Sequence, residues 1–255
     1  ESRGNTEKDG FSNTTVSART GANFLENGRV EFIGRYINSM IGYDGFSFAT
    51  GLPTDRPNRN RTQSYYISTP LTKSITDWWN LKLAPQMAID EFRTYDQSFS
   101  PLNSNIFNRT YTFDLQNNVT VNKNLSMVFG AEIKKQNGEN VESRISRNID
   151  NNGFYLQNVL NFWDGAVLTG GFRHDMNSAF IDKTTYKVEG AYTFKEYGTR
   201  IHSAHATGFR VPSMNDLFFP GFSNPNLKPE ESNSWEVGID QSLFTDRLKA
   251  GITFF

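Results

Sequence analysis

The sequence predicts an all-β protein, a transmembrane antiparallel up-and-down β-barrel, from three observations. Many segments of about ten residues alternate between apolar and polar side chains, which is the two-residue period of a strand. Aromatic residues make up 14% of the chain while hydrophobic residues reach only 36%, so the apolar side chains are spread along strand faces. No run of about 18 apolar residues occurs, so any membrane crossing has to use strands. Composition alone leaves a soluble β-sandwich equally open.

The first clearly alternating hairpin joins residues 111–121 to residues 125–134 through a turn at Asn122-Lys-Asn. One face of each strand is apolar and the other is polar, which indicates two different environments. The apolar face carries Tyr111, Phe113, Leu115, Val119 and Val121 on the first strand, and Leu125, Met127, Phe129, Ala131 and Ile133 on the second.

The same pattern returns in the second half of the chain. Residues 185–194 alternate, and a hairpin runs over 234–243, turns after Leu243 and returns over 248–254. In total we expect about twelve strands between Phe11 and Phe255. Mid-strand charges fit either the solvated face of a sandwich or the wet lumen of a barrel; they are Lys187, Glu189, Glu236 and Asp240.

The connections favour the barrel, because short and long ones alternate along the chain. Short turns are expected near Glu26, Asn122, Trp163, Lys195 and Phe244, and long polar loops over 44–61, 96–108, 136–152 and 208–232. Short turns on one rim and long loops on the other are typical of outer-membrane barrels. Aromatic residues near predicted strand ends fit the interfacial girdles of such barrels; they are Trp78, Trp79, Phe162, Trp163 and Tyr197.

Several kinds of function are not indicated. The chain has no cysteine, and its net charge of −1 gives no general footprint for nucleic acid. The hydrolase motifs G-x-S-x-G and H-E-x-x-H do not occur. His202 and His205 would point to opposite faces of one strand, so they cannot share a metal. We therefore expect no enzyme activity and no nucleic-acid partner.

One long segment carries a family resemblance. Its parts are GFR-x-P at 208–212, N-D-L-F at 215–218 and G-x-x-N-P-N-L-K-P-E at 221–230. They resemble the loop and flanking strands of TonB-dependent outer-membrane receptors. The resemblance implies a bacterial outer-membrane barrel of about 22 strands with a plugged lumen. It also implies uptake of a large, scarce nutrient, energised by the TonB complex acting on the plug.

Nothing in the sequence resembles the plug or the TonB-contacting segment, so residues 1–255 are interpreted as a partial, internal segment of the barrel domain. A complete small barrel is the competing interpretation. The sequence of residues 208–240 is most similar to the cobalamin-receptor branch and to the smaller siderophore receptors near it. Cobalamin is the preferred ligand, and a ferric siderophore or haem is the alternative. A plugless structural or adhesin-type barrel and a soluble carbohydrate-binding module are the alternatives of other classes.

Candidate ligand contacts lie at the mouth of the predicted barrel. Alternation places Arg210 inside, near the outer rim, where a guanidinium can hold a carboxylate with two hydrogen bonds. The two prolines of residues 224–230 predict a shaped loop that captures ligand or, as we favour, caps the mouth. The candidate ligand-binding residues are Arg210, Asn215, Asp216, Phe218, Phe219, Phe222, Asn224 and Asn226.

Three further groups of charged residues have weaker functional interpretations. Arg173 and Asp175 share the lumenal face of one strand and are expected to brace the wall or the plug rather than bind cargo. Residues 55–61 form a locally basic loop that attracts an anionic ligand, contacts lipopolysaccharide phosphates, or is simply solvated. Asp150 and Asp182 do not have the spacing of a calcium loop, so no cofactor is expected. Outer-membrane lipid and lipopolysaccharide are the expected surroundings.

Overall fold

The computed structural model describes residues 9–47, 49–96, 102–218, 223–245 and 247–255, except for the side chains at 46, 53, 102, 103 and 215. Within these residues the chain forms a sheet of 13 strands and one short helix. The elements are β1 (Phe11–Phe24), β2 (Gly28–Ser47), β3 (Leu52–Ser68), β4 (Leu71–Thr76), β5 (Trp79–Asp96), β6 (Leu102–Asn122), β7 (Leu125–Asn140), β8 (Ile145–Phe162), β9 (Ala166–Asn177), β10 (Lys183–Phe194), β11 (Thr199–Arg210), α1 (Met214–Phe218), β12 (Glu230–Leu243) and β13 (Leu248–Phe254).

The sheet is an antiparallel meander in which sequence neighbours pair, so the predicted up-and-down all-β class is confirmed. Only β4 lies off this path, because it pairs with β2 and β5, the two neighbours of β3. The register does not change between them: Ser68 of β3 lies opposite Gln86, and Leu71 of β4 lies opposite Leu83. Pro70 has no backbone N–H to donate to a neighbouring strand. It therefore interrupts the hydrogen bonding of what is otherwise one continuous strand, made of β3 and β4. The wall therefore has twelve strand positions, in agreement with the sequence estimate.

Alternation gives the sheet two chemically different faces. Tyr186 and Val188 lie on one face, here called the apolar face, and Lys187 and Glu189 lie on the other, the polar face. The apolar side chains remain exposed: Tyr186 by 45% and Val237 by 54%. Among the described residues, the buried hydrophobic side chains are only Ala84, Ile149, Ala166 and Leu217. A sandwich would bury one face of each sheet in a shared core, and this single sheet has no such core.

The two ends of the strands differ. At one end, called the turn rim, the described connections are short turns, such as 25–27, 123–124, 163–165 and 195–198. The aromatic residues predicted for a girdle lie at this rim: Trp78, Trp79, Phe162, Trp163 and Tyr197. In the described residues no helix is long and apolar enough to cross a membrane.

At the other end, the loop rim, three of the four predicted long loops are wrong. Residues 44–61 belong mainly to β2 and β3, 96–108 mainly to β6, and 136–152 mainly to β7 and β8. These segments are polar on both faces, so they lack the apolar alternation that marks a strand, but ladder hydrogen bonds do not require it. The basic run 55–61 is therefore part of strand β3. The fourth loop is confirmed, since residues 211–229 connect β11 to β12.

Candidate functional site at the loop rim

The loop between β11 and β12 is held in shape by a capped helix. Ser213 precedes α1, and its Oγ accepts a hydrogen bond from the backbone N of Asp216 at 3.2 Å. In return, Asp216 Oδ2 accepts hydrogen bonds from the backbone N and the Oγ of Ser213, both at 2.8 Å. This reciprocal pair is a capping box with Asp in the acidic position. The bonds from Ser213 hold the pKa of the Asp216 carboxyl below its ordinary value.

The second half of the loop is ordered by a compact turn. The backbone N of Asn224 donates to the carbonyl of Asp216 at 2.9 Å, which ties this half to α1. The Asn224 side-chain oxygen accepts a hydrogen bond from the backbone N of Asn226 at 2.9 Å. An Asn side chain that bonds its own backbone two residues on forms an Asx turn. The described parts of the loop, 211–218 and 223–229, are thus held by local hydrogen bonds, in keeping with the shaped loop that its two prolines predict.

Helix α1 folds back across the polar face of the wall. Met214 packs onto Gly138 of β7, where an added Cβ would lie 2.1 Å from the Met214 sulfur. The guanidinium of Arg147 lies 5.2 Å from the centre of the Phe218 ring. Leu217 is buried, with 3% of its surface exposed. The loop therefore contacts strands that are distant from β11 and β12 along the sheet.

A cavity of about 370 Å³ lies between this loop and strands β5 to β9. Its lining combines opposite charges, amides and apolar groups, including Asp90, Lys134, Gln136, Ile149, Asn177 and Met214. Its volume is near the lower end of the range for small-molecule sites. A large ligand would therefore place only one part of itself here and extend beyond the cavity.

None of the predicted site residues that the structure describes lines this cavity. Arg210 ends β11 on the polar face, with its guanidinium 3.8 Å from the Glu230 carboxylate and its side chain 79% exposed. Asp216 and Asn224 use polar atoms within the loop, and Phe218 lies beside Arg147. Asn226 lies in the Asx turn. Phe219, Phe222 and the side chain of Asn215 lie outside the described residues.

Sequence reasoning missed the residues that do line the cavity. Lys134 and Gln136 lie on the polar face of β7, which the alternation of that strand already indicated. Nothing in the sequence indicated that Met214 would meet Gly138, because that contact depends on how the loop folds across the sheet.

The predicted charge pair Arg173 and Asp175 forms the centre of a network on the polar face. Arg173 Nε donates to Asp175 Oδ1 and Oδ2 at 3.0 and 2.9 Å, and Nη2 donates to Asp175 Oδ1 at 2.7 Å. Nη2 also donates to Glu132 Oε1 at 2.9 Å, which ties β9 to β7. Asp175 is 4% exposed and accepts a further hydrogen bond from Asn151 Nδ2 at 2.9 Å. We call Glu132, Asn151, Arg173 and Asp175 the Arg173 network.

Glycines allow these side chains to lie flat against the wall. A Cβ on Gly153 would lie 2.4 Å from Arg173 Nη2. A Cβ on Gly130 would lie 2.2 Å from the Leu115 carbonyl and 2.5 Å from the Tyr155 hydroxyl. That hydroxyl passes over β7 and donates to Asp114 Oδ1 at 3.1 Å. The polar face is therefore cross-braced between alternate strands.

The described residues contain no group of three or more His, Asp or Glu side chains that is close enough to hold a metal ion. Asp182 accepts a hydrogen bond from the backbone N of Asn177 at 3.3 Å, which is an ordinary turn contact. The expectation that the chain has no cofactor stays a prediction.

Comparison with known proteins gives a consistent result. The family model described as "TonB dependent receptor-like, beta-barrel" matches residues 2–255. Two relatives are vitamin B12 transporters BtuB. The one from Photobacterium profundum is 25% identical over 236 residues, covering 91% of this chain and 37% of the relative. The one from Vibrio vulnificus is 30% identical over 162 residues, covering 59% of this chain and 26% of the relative.

A solved structure agrees in fold. The siderophore receptor PirA from Pseudomonas aeruginosa has a TM-score of 0.78 at 17% identity. The match covers 95% of this chain and 45% of PirA. The chain thus spans less than half the length of each of these three proteins.

Proposed function

This chain belongs to the TonB-dependent receptor β-barrel family, and we propose that it forms part of the wall of a receptor that captures a large, scarce nutrient, with cobalamin as the preferred ligand. Receptors of this family are transporters of the bacterial outer membrane rather than enzymes. The apolar face of the sheet is therefore the face towards lipid, and the polar face lines the lumen.

The observation that supports cobalamin is the pair of curated relatives, both of which are vitamin B12 transporters. The first of them aligns with 91% of this chain, so the likeness is not confined to one motif. A ferric siderophore is the second candidate, because the wall has the fold of a siderophore receptor. Likeness at 17% identity concerns the fold alone, which ranks this candidate second. Haem stays a third outcome of the same experiment.

The proposal includes parts of the receptor outside this chain. Among the described strands, β1 pairs only with β2 and β13 only with β12, which leaves two open edges. Open edges cannot face lipid, so further strands have to close the barrel. In the family's mechanism a plug fills the lumen and the TonB complex acts on that plug. This chain then supplies scaffold and part of the mouth, and it does not transport alone.

Within the mouth, Arg210 is the predicted site residue best placed to meet a ligand. Its guanidinium faces the lumen, is well exposed and has only a distant carboxylate partner at 3.8 Å. Such a cation attracts carboxylate or phosphate groups of an incoming nutrient. Asp216, Asn224 and Asn226 instead shape the loop, which supports a capping role for it. The cavity beneath α1 would take a projecting group of the ligand.

The test is binding of labelled cyanocobalamin to outer membranes that carry the full-length receptor, with ferric siderophores and haem as competitors. Saturable binding that siderophores do not displace would support cobalamin. Binding of a siderophore in its place would keep the fold and the transport mechanism but reject the ligand. If neither binds, a plugless structural barrel becomes the better interpretation.

Arg210→Gln tests the mouth itself. We expect cobalamin affinity to fall several-fold, because a charge-assisted contact is lost while the loop stays folded. Arg247→Gln is the matched control, since Arg247 is an exposed arginine in the turn between β12 and β13 at the opposite rim. Equal affinities of the two variants would remove Arg210 from the site.

A further inference from the structure

The lipid-facing surface changes character towards the loop rim. On β3, Tyr65 and Ile67 belong to the apolar belt, and Tyr65 packs against Tyr36 with ring centres 5.0 Å apart. Further along the same face, at the two-residue spacing of a strand, come Arg61 and Arg59. Arg93 of β5 lies directly opposite Arg61. We call Arg59, Arg61 and Arg93 the outer arginine cluster.

The height of the cluster matches the headgroup layer. Arg61 follows four residues beyond Tyr65, which is about 13 Å along the strand. For a strand tilted by about 45°, this corresponds to roughly 9 Å along the membrane normal. Tyrosines at the edge of an apolar belt lie at the membrane interface. The arginines just beyond them therefore lie level with lipid headgroups.

The charges of the cluster are not balanced within the wall. Arg93 pairs with Glu91, so one of the three positive charges is balanced. Arg61 Nε donates to the neutral Asn38 Oδ1 at 2.9 Å. Among the described residues, no carboxylate forms an ion pair with Arg59 or Arg61. Like charges directly opposite each other on neighbouring strands are destabilising, so the arrangement of Arg61 and Arg93 favours a bound anion.

We propose that the outer arginine cluster binds phosphate groups of lipopolysaccharide in the outer leaflet. Guanidinium groups match phosphate with paired hydrogen bonds, and three of them lie on one face of two neighbouring strands here. The cluster is on the lipid side of the wall, so a nutrient in the lumen does not reach it. For Arg59 and Arg61, the proposal takes up the interpretation of residues 55–61 as a contact with lipopolysaccharide phosphates. The site is separate from the mouth and does not depend on the identity of the nutrient.

The test uses the full-length receptor purified in a non-ionic detergent and titrated with rough lipopolysaccharide, with binding followed by the shift in melting temperature. The double variant Arg59→Gln/Arg61→Gln should bind about tenfold more weakly or worse, because charge-assisted contacts are lost. Arg247→Gln, at the turn rim, should bind like the unaltered receptor. Retained cobalamin or siderophore binding by the double variant would show that it is folded.

Two further arms identify the source of the phosphate. Dephosphorylated lipopolysaccharide should give little shift, and inorganic phosphate at millimolar concentration should not reproduce the shift. Affinity should fall steeply as salt rises, since the exposed charges are screened. The proposal is overturned if the double variant binds like the unaltered receptor, if dephosphorylated lipopolysaccharide binds equally well, or if inorganic phosphate alone gives the same shift.

Discussion

Replacing Arg173 by Met should destabilise the barrel wall through the carboxylate that it leaves behind. Asp175 is 4% exposed and would keep only the hydrogen bond from Asn151. Removing one partner of a buried ion pair costs about 3–5 kcal/mol. The side chain of Arg173 is 32% exposed, so water partly replaces it, and we expect about 2–3 kcal/mol.

The decisive comparison is the double variant Arg173→Met/Asp175→Asn. Its Asn side chain still accepts the hydrogen bond from Asn151, but it carries no buried charge. We expect it to recover about half of the loss, roughly 1–2 kcal/mol, so that the two substitutions are strongly non-additive. The unpaired charge then accounts for about half of the cost of the single variant.

The assay is the melting temperature of the purified full-length receptor in detergent. A change of 1 kcal/mol shifts a protein of about 200 residues by about 2–4 °C, and a larger barrel by less, so Arg173→Met should melt about 2–5 °C lower. The double variant should melt above the single one. The single variant Asp175→Asn completes the comparison. If the effects of Arg173→Met and Asp175→Asn on the melting temperature simply add in the double variant, the Arg173 network does not brace the wall. Cobalamin binding per folded receptor should change little, because none of the four network residues lines the cavity, although Asn177 of the lining donates a hydrogen bond to Asn151.

Three further predictions concern the wall and the loop. Gly130→Ala should cost about 1–3 kcal/mol, since its Cβ would lie 2.2 Å from the Leu115 carbonyl; the control Gly170→Ala, with no atom within 4 Å, should leave the melting temperature nearly unchanged. Ser213→Ala removes the cap of α1, so amide hydrogen exchange in 214–218 should become about fivefold faster, and an unchanged rate would show that packing alone holds the helix. The pKa of Asp216 is lowered in the folded loop, so its stabilising contribution is complete above the ordinary value of 3.8 and is lost as pH falls through the lowered value. We therefore expect a protease to cleave the loop faster at pH 3 than at pH 7. Equal cleavage at the two pH values would contradict this.

Where apolar and polar residues alternate, the strands were predictable from the sequence. In β10, Tyr186, Val188 and Tyr192 alternate with polar residues because one face meets lipid and the other meets water. The strand content of residues 44–61 and 136–152 was not predictable in this way. There polar side chains predominate on both faces, so the apolar alternation is missing and only backbone pairing marks the strand.

The candidate site was predictable in part, for a related reason. The shared face of Arg173 and Asp175 follows from their spacing on one strand. Their partner Glu132 is 41 residues away from Arg173, and only the register of the sheet brings it close. The loop 211–229 was located by its motif, but most residues of the cavity come from β5 to β9. The spacing of residues along the chain does not indicate that the loop packs against these strands.

The most direct test of the proposed function is accumulation of labelled cobalamin by cells that lack their own cobalamin receptor and express the full-length protein. Accumulation should require both the protein and an active TonB complex, while binding to the outer membrane should require the protein alone. Accumulation that is equally fast without an active TonB complex, or absent in cells that carry correctly folded receptor, would contradict a TonB-energised cobalamin receptor.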